Sequence, residues 1–78
     1  MREATIRTDH GEAETAARIA AALRPDNTEE MSTTTDGATV ETRIERQTTG
    51  GLAATVDDYV VNLAVAADLA TADRDTHE

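Results

Sequence analysis

The sequence predicts an α+β domain, a β-α-β-β-α two-layer sandwich whose three-stranded antiparallel sheet carries two helices on one face. Two short segments alternate with the period of a strand, a third short segment ends at an Asp-Gly hairpin signal, and two longer segments repeat apolar residues at helical spacing. The order of these five segments predicts the topology. A chain of 78 residues has room for a single domain, which we assign to residues 1–72, and residues 73–78 are expected to be a polar tail.

Alternating patterns predict the first and third strands, and a hairpin signal accompanies the second. The first is expected over residues 3–8, and the second over residues 28–35, before an Asp-Gly pair at residues 36–37 that is typical of a hairpin turn. The third, over residues 38–45, has the clearest alternation. Ala38, Val40, Thr42 and Ile44 face one way, and Thr39, Glu41, Arg43 and Glu45 face the other.

Two helices are expected on the apolar side of this sheet. The first begins at about Glu12 and is stopped by Pro25, whose ring cannot continue a helix. The second runs from about Leu52 to Ala70, after a break in regular structure at residues 48–51. The predicted core stripes are Ala13, Ala16, Ile19, Ala20 and Leu23 in the first helix, and Leu52, Val56, Tyr59, Leu63 and Ala67 in the second.

The predicted topology leaves one edge of the sheet open. A right-handed β-α-β crossover places the first and second strands parallel, with the third strand between them. This arrangement is a ferredoxin-like sandwich that lacks its last strand, which would have paired with the first. The first strand therefore invites pairing with another chain, and we expect two copies to join there into one antiparallel sheet. The residues of this edge are Ala4, Thr5, Ile6, Arg7 and Thr8.

The size and composition favour association with a partner. Small domains have marginal cores and are usually helped by disulfides, a metal or a partner subunit. Cysteine is absent, and His10 and His77 are the only histidines, so neither a disulfide nor a structural zinc site is expected.

Sixteen acidic residues stand against seven basic ones, all of them arginine, and the formal net charge is −9. An acidic surface without lysine suits a protein kept soluble in a salt-rich cytoplasm, so we interpret the chain as halophilic. Net charge then no longer discriminates between classes of partner. No apolar run is long enough to span a membrane, and Met1 precedes charged residues instead of a signal sequence, which predicts a cytoplasmic protein with no membrane partner.

The second helix carries more apolar surface than a two-layer domain needs, because a further stripe lies beside its core stripe. The first helix is smooth outside its core stripe, where Ala17, Ala21 and Ala22 are small. A docking surface and an alanine-rich helix of good propensity explain the first helix equally well. We favour docking for the second helix, since helix propensity does not explain Val61 and Val65. Its further stripe comprises Ala53, Ala54, Val61, Ala64 and Val65.

No catalytic, cofactor-binding or metal-binding residue is predicted. Asp57 and Asp58 are adjacent on a helix and point about 100° apart, so they cannot act on one proton. A histidine-assisted nucleophile needs a third group to hold the imidazole, and we interpret His10 as a solvated turn residue. The class of small enzymes is therefore disfavoured.

A stand-alone RNA-binding module is the alternative function. Base stacking needs aromatic residues on the sheet, and Tyr59, the only aromatic residue of the chain, lies in the second helix. Three arginines are expected on the polar sheet face, where Glu41 and Glu45 offset their charge. These arginines are Arg7, Arg43 and Arg46.

Two segments resemble the motifs of a known family. Residues 22–27, ALRPDN, are similar to the helix-end motif of the Pcc-type dimerisation subunit of the KEOPS complex. Residues 52–63, LAATVDDYVVNL, are similar to the last-helix signature of that family, which is the more specific motif. The length and the order of elements also agree, so the resemblance covers nearly the whole chain.

The resemblance implies a non-catalytic scaffold subunit of the halophilic archaeal type. Members of the family dimerise and dock through their helices onto the large subunit that transfers threonylcarbamoyl to adenosine in tRNA. It implies a homodimer, or a heterodimer with a paralogue, and contact with tRNA at most indirectly. Motif residues with an implied structural role are Pro25, Asp26, Asn27, Asp58, Tyr59 and Asn62. Implied docking residues are Ala17, Ala21, Asp57, Val61, Ala64 and Val65.

Overall fold

The computed structural model describes the backbone of residues 1–75 and the side chains of residues 1–70. The predicted α+β class and element order are confirmed, and the strands pair antiparallel in the order β1-β3-β2 with both helices packed on one face. The elements are β1 Arg2–Asp9, α1 Ala13–Leu23, a 3₁₀ turn at Arg24–Asp26, β2 Met31–Asp36, β3 Thr39–Arg46 and α2 Thr49–Asp75.

The helix α1 buries the predicted stripe with one exception. Ala16, Ile19, Ala20 and Leu23 are buried, whereas Ala13 at the first position is exposed, so its prediction as a core residue is wrong. The chain does not break at once before Pro25. The Arg24 N–H still bonds to the Ala20 carbonyl, and the proline lies inside a 3₁₀ turn, where its missing N–H costs little.

The strand β2 begins later than predicted. Instead of starting near Thr28, the chain turns there, because the Met31 N–H bonds to the Thr28 carbonyl and the Glu30 N–H to its hydroxyl. Such local side-chain bonds compete with the ladder of a strand. The strand then runs from Met31 to Asp36, and Gly37, at a φ of 59°, closes the hairpin to β3.

The helix α2 begins three residues earlier than predicted and extends beyond Ala70. Residues 48–51 do not break the chain, because Thr48 caps the helix. Its hydroxyl accepts a hydrogen bond from the Gly51 N–H at 3.0 Å, and its carbonyl accepts one from Leu52. The helix continues to Asp75, so the predicted tail at residues 73–78 begins as helix, and residues 76–78 lie outside the described part of the chain.

The core lies between the sheet and the helices, and α1 covers β2 and β3 while α2 covers β3 and β1. The predicted α2 stripe packs into it, with Tyr59 only 2% exposed and the other four residues half-buried. Within residues 1–75 no helix is long and apolar enough to cross a membrane. The largest side chains with almost no exposure are Ile19, Ile44, Val40 and Thr42.

Candidate partner-binding surfaces

The first surface is the outer edge of β1. The hydrogen bonds between β1 and β3 determine which backbone N–H and C=O groups of β1 point outward at this edge. The His10 N–H bonds to the Ala38 carbonyl, one step beyond the pairing of Asp9 with Thr39. Backbone groups of an antiparallel strand alternate in direction, so the even-numbered residues of β1 bond inward to β3. The residues whose N–H and C=O groups point outward are Glu3, Thr5, Arg7 and Asp9.

The opposite edge of the sheet, on β2, is partly closed by the segment that precedes it. The Glu45 N–H bonds to the Glu30 carbonyl, so the even-numbered residues on this side bond inward to β3. By the same alternation, the backbone groups of the odd-numbered residues of β2 point outward. The Arg24 Nε donates to one of these outward groups, the carbonyl of Thr33, at 3.3 Å. Within the described residues no hydrogen bond of this kind is made to the outward groups of β1, so β1 is the more open edge.

Two of the three predicted arginines lie on the polar face of the sheet, and both are paired there. Arg7 forms an ion pair with Glu41, and Arg43 forms one with Glu3 at 2.7 Å, which raises the pKa of Arg43 above its ordinary value. The prediction that Arg46 joins them is wrong, because position 46 has the parity of the buried residues of β3. The side chain of Arg46 bonds to the Thr55 hydroxyl of α2 at 2.6 Å instead.

The second surface is the outward side of α2. Val61 is 62% exposed and Val65 is 54% exposed, so the valines of the further stripe do not pack in the core. Leu69 continues their row at the spacing of successive helical turns and is 62% exposed. We call Val61, Val65 and Leu69 the outer row. Leu69 is not among the predicted docking residues, although its position four residues after Val65 places it on the same helix face.

The outer row leads into a groove between the helices, which has a volume of about 360 Å³. We call it the α1–α2 groove, and it is lined by Arg18, Ala21, Ala22, Ala66, Leu69 and Ala70. The small alanines leave room for the side chains of another protein. Of the other implied docking residues, Ala17 and Asp57 are exposed but do not line this groove.

The opposite flank of α2 faces the open edge of β1. Successive helical residues differ by about 100° in direction, so the flank away from Leu69 and α1 carries Ala53, Val60 and Ala64. We call these three exposed residues the edge flank. Since α2 lies over β3 and β1, the edge flank stands beside the unpaired side of β1. Ala64 follows Val61 by three residues, so it borders the outer row as well as the edge flank.

A chain of hydrogen bonds, buried from Thr33 onwards, joins the two motif segments across the sheet. The Asn27 side-chain amide donates to the Thr33 hydroxyl at 2.8 Å, and this hydroxyl lies 2.8 Å from that of Thr42. Thr42 in turn donates to the Tyr59 hydroxyl at 2.6 Å. Burial raises the pKa of Tyr59 above its ordinary value, and the bond from Thr42 opposes that rise. The sequence did not single out Thr33 and Thr42, because nothing in a threonine-rich strand distinguishes a buried hydroxyl from an exposed one.

Above this chain lies a half-open cleft of about 300 Å³ between α2 and the segment before β2. Three motif residues line it, Asp26 from the 3₁₀ turn and Asp58 and Asn62 from α2, with Tyr59 at its buried side. Asp57 does not line the cleft, as the angle between adjacent helical residues requires. The motif segments, distant in sequence, therefore meet in space.

The interpretation of His10 as a solvated residue is wrong. It is half-buried, and its Nε2 atom shares a hydrogen bond of 2.7 Å with the Thr8 hydroxyl. This bond ties the end of β1 to the turn at Gly11, whose φ is 83°. Among the described residues no group of three histidine, cysteine or acidic side chains is placed to hold a metal ion.

Neither a protein-family model nor a curated protein matches this sequence.

Proposed function

We propose that this chain is a non-catalytic scaffold and dimerisation subunit of the KEOPS complex, and that it supports threonylcarbamoyladenosine modification of tRNA by docking on the catalytic subunit. The observation that carries the proposal is the outer row, three exposed apolar side chains leading into the α1–α2 groove. An apolar row of this kind on a monomer is typical of a surface that another protein covers.

The geometry of the motif segments supports the proposal further. The resemblance rests on residues 22–27 and 52–63, and the hydrogen bonds from Asn27 through Thr33 and Thr42 to Tyr59 connect the two. A buried polar chain of this kind fixes one arrangement of its elements, because breaking it leaves buried groups unsatisfied. The motifs thus have a physical reason to occur together. They hold α2 in one position on the sheet and so orient its outer row.

The sheet face favours a scaffold over a stand-alone RNA-binding module. Arg7 and Arg43 are occupied by Glu41 and Glu3, which leaves them little positive potential for phosphates. In this proposal tRNA is bound by other subunits in the cytoplasm, and this chain contacts it at most indirectly. The proposed assembly contains a homodimer, or a heterodimer with a paralogue.

The affinity of this chain for the purified catalytic subunit of the same organism, measured in salt-rich buffer, tests the proposal. We expect the wild-type chain to bind and Val61→Glu to lose binding at least tenfold, since a charge would be buried against an apolar surface. Thr34→Glu is the matched control, because it adds the same charge on the exposed face of β2. Equal binding by both variants would contradict docking at the outer row.

The affinity of the isolated chain for tRNA is the complementary measurement. The scaffold proposal predicts weak binding that salt abolishes. Tight, sequence-selective binding without partners would overturn it in favour of the RNA-binding module.

A further inference from the structure

We infer that the open edge of β1 is self-complementary in a single register, in which Thr5 lies opposite Thr5 of a second copy. The inference rests on the dimerisation half of the proposed function and adds to it the alignment of the two chains. It follows from the direction of the backbone groups and from the order of charges along the edge.

The backbone restricts the possible alignments. Glu3, Thr5, Arg7 and Asp9 direct their N–H and C=O groups outward, so an antiparallel mate must place its own odd-numbered residues opposite them. Alignments that pair odd with even residues leave these groups unbonded. In a two-fold symmetric pair, one residue lies at the axis and faces the same residue of the second copy. Near the middle of β1, the alignments that satisfy the backbone have Ala4, Thr5 or Ile6 at the axis.

Charge distinguishes these three alignments. With Thr5 at the two-fold axis, Glu3 lies opposite Arg7 of the second copy, and the symmetry makes this pair twice. With Ala4 at the axis, Glu3 lies opposite Thr5, and neither Glu3 nor Arg7 lies opposite a residue of opposite charge. With Ile6 at the axis, Glu3 lies opposite Asp9, which places like charges together twice.

The Thr5 alignment also continues charge pairs that the single chain already contains. Arg7 contacts Glu41 on its inner side and Glu3 contacts Arg43. Joining the edges would link these ion pairs into a contact sequence of alternating charge, in which Arg43 reaches Glu3 diagonally because Glu45 is directly opposite Glu3. On the helix side of the same strands, half-buried Ala4 would meet half-buried Ile6, a small residue against a large one.

The helical layer fits the same alignment of sheets. Because α2 lies over β3 and β1, strands spaced about 4.8 Å apart would bring the two α2 helices to about 10 Å, the usual distance of packed helices. The edge flank faces the mate across this gap. Ala53 and Ala64 permit a close approach, and Val60, 49% exposed in the single chain, supplies the apolar contact.

Cysteine cross-linking reads the alignment directly, because the chain has no cysteine of its own. Residues opposite each other in a bonded pair have Cα atoms about 5.5 Å apart, within the range of a disulfide. We expect the Thr5→Cys variant to form covalent dimers under mild oxidation. The Ala4→Cys and Ile6→Cys variants should cross-link poorly alone and efficiently when mixed with each other.

Charge exchange provides a second readout without a covalent bond. Glu3→Arg and Arg7→Glu each place like charges opposite one another in a dimer of identical copies, which should weaken it about tenfold. Mixing the two variants restores both opposite-charge pairs, so heterodimers should form with wild-type affinity. Each variant loses one ion pair within its own chain, that of Glu3 with Arg43 or that of Arg7 with Glu41, and mixing does not restore it. Recovery of dimers on mixing therefore reports only the contact between chains.

The outcomes separate this inference from the proposed function. Efficient cross-linking of Ala4→Cys or Ile6→Cys alone, or dimers without rescue on mixing, would overturn the Thr5 alignment and leave dimerisation standing. A wild-type chain that remains monomeric at high protein concentration, measured by light scattering, would overturn dimerisation itself and the alignment with it.

Discussion

Thr42 of β3 donates a hydrogen bond of 2.6 Å to the hydroxyl of Tyr59 of α2, and both residues are almost completely buried. The bond attaches the last helix to the central strand through a polar contact inside an otherwise apolar core. It also fixes the rotation of α2, because the helix cannot turn without withdrawing the phenol from its donor. The outer row and the edge flank take their directions from this contact.

Tyr59→Phe should lower the free energy of unfolding by about 1–2 kcal/mol, because the buried Thr42 hydroxyl loses its acceptor. Chemical denaturation of the folded chain measures it. Thr42→Val should cost at least as much, since Thr33 and Tyr59 both lose a partner. The double variant should cost less than the sum of the two single losses. Additive losses would mean that the two hydroxyls do not interact in solution.

Stability should fall at alkaline pH through Tyr59. Burial raises its pKa in the folded state above the ordinary value of 10.0, so the folded chain favours the neutral phenol. This stabilisation is complete below the ordinary pKa and is lost as the pH rises through the higher pKa of the folded state. The chain lacks lysine, cysteine and other tyrosines, so tyrosinate absorbance follows this one group. A folded-state midpoint at or below the ordinary value would contradict the burial of the hydroxyl.

Proline substitutions should distinguish the two directions of the β1 backbone. Thr5→Pro removes an outward N–H, so we expect a folded chain with weakened dimers. Ile6→Pro removes an N–H directed at β3, and it should destabilise the fold instead of acting on the edge alone. Circular dichroism and light scattering of both variants measure the difference. A folded, fully dimeric Thr5→Pro variant would argue against edge pairing.

Neighbouring valines on α2 should separate the two binding surfaces. Val60→Glu places a charge on the edge flank and should weaken the dimer while binding of the catalytic subunit is retained. Val61→Glu alters the outer row and should have the opposite effect. Both residues are exposed, so each variant should fold. Sizing of the chain alone and binding of the purified catalytic subunit measure the two effects, and loss of both by one variant would show a single surface.

The two glycines at the start of α2 should respond differently to alanine. An added Cβ at Gly50 meets nothing within 4 Å, so Gly50→Ala should stabilise the fold by about 0.5–1 kcal/mol through helix propensity. At Gly51 the Cβ would lie 3.0 Å from the capping Thr48 hydroxyl and 3.1 Å from the Arg46 guanidinium. Gly51→Ala should therefore gain less or lose stability. Thermal unfolding of the two variants measures the difference in stability. Equal stabilisation by both would mean that the Thr48 and Arg46 side chains move aside without cost.

The sequence determined the elements, their order and the sheet topology. Alternation in β3 and the helical stripe around Tyr59 are local patterns, and the crossover rule then leaves few arrangements of three strands and two helices. The open edge of β1 followed from the same argument. Boundaries were less accurate, since β2 begins at Met31 and α2 at Thr49 because of hydrogen bonds made by Thr28 and Thr48.

Only the tertiary structure decided which groups each surface presents. Backbone direction along β1 depends on the register with β3, and a shift of one residue would turn Thr5 inward and Ile6 outward. The division of α2 into an edge flank and an outer row depends on where α1 packs. The bonds between Asn27, Thr33, Thr42 and Tyr59 each join residues up to 17 positions apart in sequence, and no local pattern encodes such contacts.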